Sequence, residues 1–560
     1  MKQFMKYSCL IVLACMVAMT SNARVININA RDIRGDFTMK LREMMAKATY
    51  NDTVKLYFDK GTYTVDGTIQ CKGHTIMRGA GTDQTTIIID QGKDRAAGKA
   101  FLDDAFFKVY GTIQHPVSAT ISDITFKIKE HKGIWWEGKP RYAVKVVHAN
   151  HVDIHDINSY MENAEITNVE LRVCSNINVN NCMISNYNNC KEGGNLWLRG
   201  EIHNVNIHHN KFYKYGNDEA IAFFSKLVDA NKATRGDMSR TNIKFTDNEL
   251  YYKHGDKPIN GMMNHVLFSV LTSLEDNENC CDTRDFELAR NKFFISDPCT
   301  RLISLQFNEV DKHSNFVIHD NEFVSNSVQS DDRFMRMDID VWDGSALQDT
   351  IVVRNNKVTN DYAILNAVNG TGYTFLLVRG GNVLLDGNRI INRVNRTIDR
   401  KDYGIHLLWS GQEGGTVTMR NNVCKGLARI VTLESGDGIG QFSLKASNNY
   451  FQGRTSIYCK KVDRLNLDFR NNTFESTHDN FFLQDFAKRG TLIFNDNIVN
   501  VSTGNGLLMA PHSKNSTSSR FDKLEIIGNE FRGVNSQKDM TKHITNVRKR
   551  TVKSNFYRKM

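Results

Sequence analysis

An all-β chain wound into a single right-handed parallel β-helix, with one amphipathic helix over its N-terminal end, is the fold class this sequence predicts. Three observations lead there. A short motif recurs twelve times: two alternating apolar residues, Asn, one free residue, then an apolar or aromatic residue. A second alternating run follows each motif, as in NLWLR, DEAIAFF, HVLFSVLTS, RLISLQF and FMRMDID. The chain also has only 5 prolines in 560 residues, and no Pro-, Ser- or Gly-rich linker divides it. A degenerate repeat of about 32 residues with two strands per period is a solenoid signature, and a solenoid is one domain at any length.

The elements follow in order. Lys2 and Lys6 precede an apolar run over residues 10–19, and Ser21-Asn22-Ala23 supplies the small residues of a cleavage site. Residues 1–23 therefore read as an export leader. Cys15 after Val12-Leu13-Ala14 offers a lipid-modified start as the alternative. The expected location is the periplasm, the outside or the outer surface of a bacterium. Residues 36–49 read as a helix with Phe37, Leu41, Met44, Met45 and Ala48 on one face, placed to cover the open end of a β-solenoid. The β-helix is assigned to residues 24–533 and a basic tail or cap to residues 534–560.

The repeated Asn falls at Asn181, Asn210, Asn248, Asn291, Asn321, Asn356, Asn388, Asn422, Asn449, Asn472, Asn497 and Asn529. Two structural roles are open for it: a ladder of stacked amides along the axis, or a left-handed turn residue in each coil. Neither is catalytic.

Charge and cysteine content exclude several classes. The net charge of +10 is concentrated at the ends, in Lys2 and Lys6 and in the tail residues Lys538, Lys542, Arg548, Lys549, Arg550, Lys553, Arg558 and Lys559. The body between them is close to neutral, which argues against a nucleic-acid surface. No apolar run after the leader is long enough to span a bilayer. Of 11 cysteines, Cys9 and Cys15 leave with the leader, and an odd number remains. Cys280 or Cys281 with Cys299 is a possible disulfide in an exported protein, and buried reduced cysteines are the alternative. There is no CxxC or Cys/His zinc pattern, so no cofactor is required.

The segment LYFDKGTYTV followed by HTIMRGAG resembles the opening coils of right-handed parallel β-helix proteins of the pectin-lyase-like superfamily. The resemblance covers roughly residues 25 to 533. It implies a polysaccharide as partner and an activity among glycoside hydrolases, polysaccharide lyases, phage tailspikes or adhesins. Gly216-Asn217-Asp218-Glu219-Ala220-Ile221-Ala222-Phe223 is similar to the paired-aspartate strand of the polygalacturonase family, whose two aspartates would fall on Asp218 and Glu219. The match departs from that family at the inserted Asn217, at NLWLR in the preceding coil, and where a Gly-His-Gly should follow. The next strand offers only His265.

Glycosidic hydrolysis needs one carboxylic acid for the leaving oxygen and one carboxylate for water. Asp218 and Glu219 are the first candidates. Glu170, on the water-facing register of VELRV two coils earlier, is expected about 10 Å away at about 4.8 Å per coil. A second centre lies in FMRMDIDV, where Arg336, Asp338 and Asp340 alternate with apolar residues and so share one face. With Asp331 and Asp332 before it, this acidic group suits either acid–base work or Ca²⁺. Arg172, Arg199, Arg336 and Arg379 form a basic row apt for a uronic carboxylate. Trp197, between Leu196 and Leu198, is expected to point outward as a platform for sugar rings.

These residues point to a secreted carbohydrate-active enzyme that cleaves glycosidic bonds by carboxylate-mediated hydrolysis. A lyase acting on a uronic-acid glycan by β-elimination is the first alternative. A non-catalytic glycan-binding or surface β-helix is the second.

Overall fold

The computed structural model describes residues 23–560 except 91–104, 130–140, 162–163, 165, 188–192, 216–217, 225–238, 253–264, 272–281, 296–300, 308–312, 326–327, 330–336, 342–348, 361–362, 365–373, 394–402, 410–414, 436–440, 461, 477–486, 502–520, 535–546 and 559–560. The chain is a right-handed parallel β-helix, the hand that parallel crossovers take. Every described strand pair between coils is parallel and joins one coil to the next.

The first strand, Val25–Asn29, pairs with Thr53–Tyr57. Between them lies the expected helix, Phe37–Met45. Asp36 caps it by accepting from Met39 N at 3.0 Å. Leu41 and Met45 enter the core, and Phe37 and Met44 pack at its margin. The helix stops short of residue 49, but Ala48 is still buried.

Each coil then visits three sheets. Sheet A holds residues 142–147, 167–172 and 196–199, then Asp218–Phe224, His265–Leu271, Arg301–Phe307, Met337–Val341 and Thr374–Arg379. Sheet B holds residues 174–180 and 202–208, then Ser239–Thr246, Asp282–Ala289 and His313–His319. Sheet C holds Met183–Tyr187, Lys211–Tyr215, Glu249–Tyr252, Lys292–Ile295 and Glu322–Ser325. Alternation turns every second residue inward. In sheet A the inward column runs Leu196, Ile221, Phe268, Ile303, Met337, Leu376, each in register with the next and each fully buried. Like residues stack along the core, as in Phe286 on Phe316 with ring centroids 4.4 Å apart.

The repeated Asn forms the ladder. Asn356 Oδ1 accepts from both Asn321 N and Asn321 Nδ2 at 3.0 Å. Asn356 Nδ2 donates to Ile318 O and to Asn388 Oδ1, again at 3.0 Å. The same pattern runs from Asn210 through Asn248 to Asn529. The left-handed role belongs to the residue before it: His209, Asp247, Arg290, Asp320, Asn355, Asn421, Asn448, Asn471 and Asp496 have φ between 53° and 58°. Two neighbouring positions thus divide the two roles the sequence left open.

Two sequence assignments need correction. Asn181 is not a rung. It is itself left-handed at φ 53°, and Cys182 occupies the ladder slot, its N–H donating to Asn210 Oδ1. The coils also pass residue 533. Val547–Lys553 pairs with Phe521–Ile527, Phe556–Arg558 pairs with Glu530–Arg532, and Asn555 accepts from Asn529 as a further rung.

The described cysteines Cys71, Cys174, Cys182 and Cys424 are buried and free. Burial pushes the thiols of Cys174, Cys182 and Cys424 up to about 12, so they stay protonated and unreactive. The Cys280, Cys281 and Cys299 pairing lies outside the described residues.

A central rung and its neighbour should respond very differently. Asn356→Ala removes two donors and an acceptor and strands the buried Asn321 amide, for an expected loss of about 2–4 kcal/mol. Asn355→Gly keeps the left-handed corner and should change stability by less than about 1 kcal/mol. Urea unfolding followed by circular dichroism distinguishes the two.

Candidate functional site

Where the chain takes extra length decides which face is variable. Between sheets B and C the corner always takes two residues, from Asn180 to Met183 through to Lys553 to Phe556. At the two borders of sheet A the connections lengthen: residues 225–238, 272–281 and 342–350 leave it, and residues 253–264, 326–336 and 361–373 return to it. Variable chain length on a rigid scaffold is where binding and catalysis concentrate.

The outward positions of sheet A form two rows along the rod. One runs Lys108, Lys145, Glu170, Trp197, Ala222, Ser269, Ser304 and position 338. The other runs Tyr110, Val147, Arg172, Arg199, Phe224, position 271, Gln306 and position 340. Both candidate centres from the sequence therefore lie on one face. The Asp338 strand is three coils from the Asp218 strand, about 14 Å, and five from that of Glu170, about 24 Å, at about 4.8 Å per coil.

Glu170 does not face water. It is 0% exposed and gathers three cations. Arg172 Nη2 lies 2.7 Å and Lys145 Nζ 3.4 Å from Oε1, and Arg199 Nε lies 3.1 Å from Oε2. Burial alone would raise its pKa. Lys145, Arg172 and Arg199 overcome that and hold the carboxyl far below the usual range. A carboxylate this firmly ionised and covered is unfit to donate a proton, so Glu170 is a structural anion. Arg172 and Arg199 are adjacent in register as expected, but they are 5% and 7% exposed and turned onto Glu170. Lys145, the third cation, is marked in the sequence by its alternation with Val144 and Val146 in YAVKVV. Burial, then the charge of Arg172, lowers the pKa of nearby His148.

Trp197 is on the outward register but is 2% exposed. Its ring lies between Arg199, at 5.1 Å, and Arg141, at 5.4 Å, and meets Phe224 edge-on at 5.3 Å. Its Nε1 donates to Glu219 O at 3.0 Å. Gly194 makes room, since a Cβ there would collide with both partners of that bond. Trp197 is thus a brace between coils rather than an open sugar platform.

Asp218 is in register with His265 and Glu219 with Val266, so two of the sequence candidates sit side by side on neighbouring coils. Glu170 does not join them. It aligns through Trp197 with Ala222, four residues beyond Asp218. Two coils sideways and four residues along the strand make about 16 Å, not the expected 10 Å or so. Positions 338 and 340 are on the outward register, because Met337 and Ile339, which alternate with them, are core residues. Ser304 and Gln306 precede them in register, and Leu377 and Arg379 follow. Arg336, Asp331 and Asp332 lie outside the described residues. Among the described residues, no group of three or more His, Cys, Asp or Glu is arranged to hold a metal, and no helix is long and apolar enough to cross a membrane.

No protein-family model matches the chain. No curated protein matches it. Among solved structures it is similar to DFA-IIIase from Arthrobacter chlorophenolicus A6 without its lid, at 10% identity and TM-score 0.43 over 76% of this chain and 99% of that one. It is similar to the tailspike protein of E. coli bacteriophage HK620 at 11% identity and TM-score 0.43, over 78% of this chain and 74% of the other. A family 28 exopolygalacturonase from Yersinia enterocolitica matches at 8% identity and TM-score 0.35, over 90% of this chain and 78% of that one.

The buried cluster carries its own pH signature. Glu170→Gln leaves its cations facing a neutral amide and should cost about 3–5 kcal/mol. Because the folded pKa is depressed, the stabilisation is complete above the ordinary value of 4.5 and fades as pH falls toward the folded value. Thermal melts should therefore show a constant gap between wild type and variant from about pH 8 to about pH 5, narrowing below that.

Proposed function

We propose that this protein is an exported carbohydrate-active enzyme that hydrolyses glycosidic bonds of a polysaccharide lying along sheet A, with Asp338 and Asp340 as acid and base. One observation carries the reading: two acidic positions share the outward register of the sheet whose two borders take the extra chain. A long, regular face fits an extended polymer better than a compact small molecule. The row leading to position 338 passes through Ala222, Ser269 and Ser304, which are small and buried.

Spacing favours inversion. Positions two apart on a strand lie about 6.6 Å from one another. That is nearer the range of about 6.5–9.5 Å used by inverting enzymes than the 5–5.5 Å or so of retaining ones. The lyase reading is weaker, because Arg172 and Arg199 are already engaged by Glu170. Asp218 beside His265 is the second candidate centre. The acidic group at positions 331, 332, 338 and 340 is also where Ca²⁺ would bind.

A polysaccharide panel read by mass spectrometry, with and without EDTA, tests this. Products should each gain one water. Asp338→Asn and Asp340→Asn should lower kcat by about 100-fold or more at unchanged melting temperature. Unsaturated products with no added water would sink the hydrolase reading. Full activity in both variants, with loss in Asp218→Asn, would move the chemistry to the other centre. Binding without turnover on every polymer would leave the non-catalytic alternative standing.

A further inference from the structure

Asp52 sits just behind the first strand and is 2% exposed. Its Oδ1 accepts from the Arg24 backbone N at 3.0 Å and from Arg24 Nε at 3.2 Å. Its Oδ2 accepts from Arg24 Nη2 at 2.7 Å, Thr49 N at 2.9 Å and Thr49 Oγ1 at 3.0 Å. Hydrogen bonds from Arg24, then from Thr49, hold the carboxyl far below its usual range. The backbone closes around the same point. Thr53 N donates to Arg24 O at 2.8 Å, and His74 N donates to Asp52 O at 2.9 Å. One side chain thus joins the first strand, the turn after the capping helix and the next coil.

The leader's cleavage motif ends at Ala23, one residue before the backbone nitrogen that Asp52 holds. We propose that removal of residues 1–23 turns this nitrogen into a charged α-ammonium anchored on Asp52, so that leader processing itself locks the N-terminal cap. The step is hydrolysis. Water adds across the Ala23–Arg24 bond, Ala23 leaves with the leader as a carboxylate, and Arg24 keeps the amine, which takes up a proton. A neutral amide N–H then becomes a cation against a buried anion, and charge-assisted bonds are roughly twice as strong as neutral ones. The Arg24 guanidinium opposes this through like-charge repulsion. That side chain is 59% exposed, however, so water screens it, whereas Asp52 is covered.

The inference rests on the export leader and is independent of the reading of sheet A. The chain is expressed in a bacterial host with its own leader and its first residue is determined by intact mass and terminal sequencing. Arg24 is expected. A retained leader, an acylated Cys15 or any other first residue overturns the proposal. The Arg24-started protein is then compared with the same chain carrying Ala23 as an extra first residue, and with its N-acetylated form. Hydrogen exchange over Val25–Asn29 should be about tenfold slower with the free Arg24 amine than in either blocked form. The amine should titrate above its ordinary value of about 8, read by pH-dependent acylation. In Asp52→Asn both differences should vanish. If that variant does not fold, the acetylated form still decides, because it keeps every side chain. Equal exchange with and without the free amine overturns the proposal.

Discussion

The amide ladder is the constraint on which the rest of the molecule depends. Each Asn side chain accepts two hydrogen bonds from the coil before and donates to the coil after, so it fixes both spacing and register at one corner of the rod. A corner built this way tolerates no extra residue, because a single insertion would move an amide out of the stack and strand buried partners on both sides. Length variation is therefore driven to the other two corners, and both of those border sheet A. The location of the variable face follows from where the ladder runs.

The two rows on sheet A show a second consequence of stacking. When coils repeat in register, outward residues of successive turns lie about 4.8 Å apart and must match their neighbours along the axis. Near the N-terminal half the match is electrostatic: Lys145, Glu170, Arg172 and Arg199 form a covered ion cluster, with Trp197 stacked on a guanidinium. Buried ion pairs add little net stability over apolar packing, yet losing one partner is costly. Such a cluster specifies register more than it adds strength. It also occupies the arginines that a uronic carboxylate would need, which separates the basic patch from the chemistry proposed five coils away.

The sequence was most legible where a pattern had only one physical reading. Strict alternation placed Leu196 and Leu198 inward, and it placed Glu170 and Trp197 on the opposite side. That side was read as facing water, but alternation alone does not decide this, and both residues prove covered. The distance from Glu170 to Asp218 failed for a related reason. Counting coils measures displacement across the strands, whereas the offset along them is set by where each strand begins, and that depends on the connections. Asn181 was misread because NNC offers Asn at two adjacent slots, and Asn suits a left-handed corner as well as a ladder rung. Only the register Met183 to Lys211 shows that Cys182 is the one aligned with Asn210. The register at Met337 and Ile339 was legible for the opposite reason, since both were read as inward by alternation and both are core residues.

A rod of stacked strands must also deal with two exposed edges, and the described ends solve that problem by different means. At the first coil an amphipathic helix lies over the core, and Asp52 ties the leading strand down by its backbone nitrogen. At the last described coil nothing comparable is needed, because the strand itself is unattractive to stack upon. Arg550 stands in register with Leu524, so an exposed arginine continues the column that Leu444, Leu467, Leu492 and Leu524 fill in the coils before. Arg548, Lys549 and Lys553 are exposed along the same strand. Another strand, or a second copy of the rod, could pair with this edge only by burying that charge, which is the means by which natural sheets keep an edge from growing. The basic charge that dominates the composition is therefore a matter of position: it is concentrated at the last described coil, and the body before it is close to neutral.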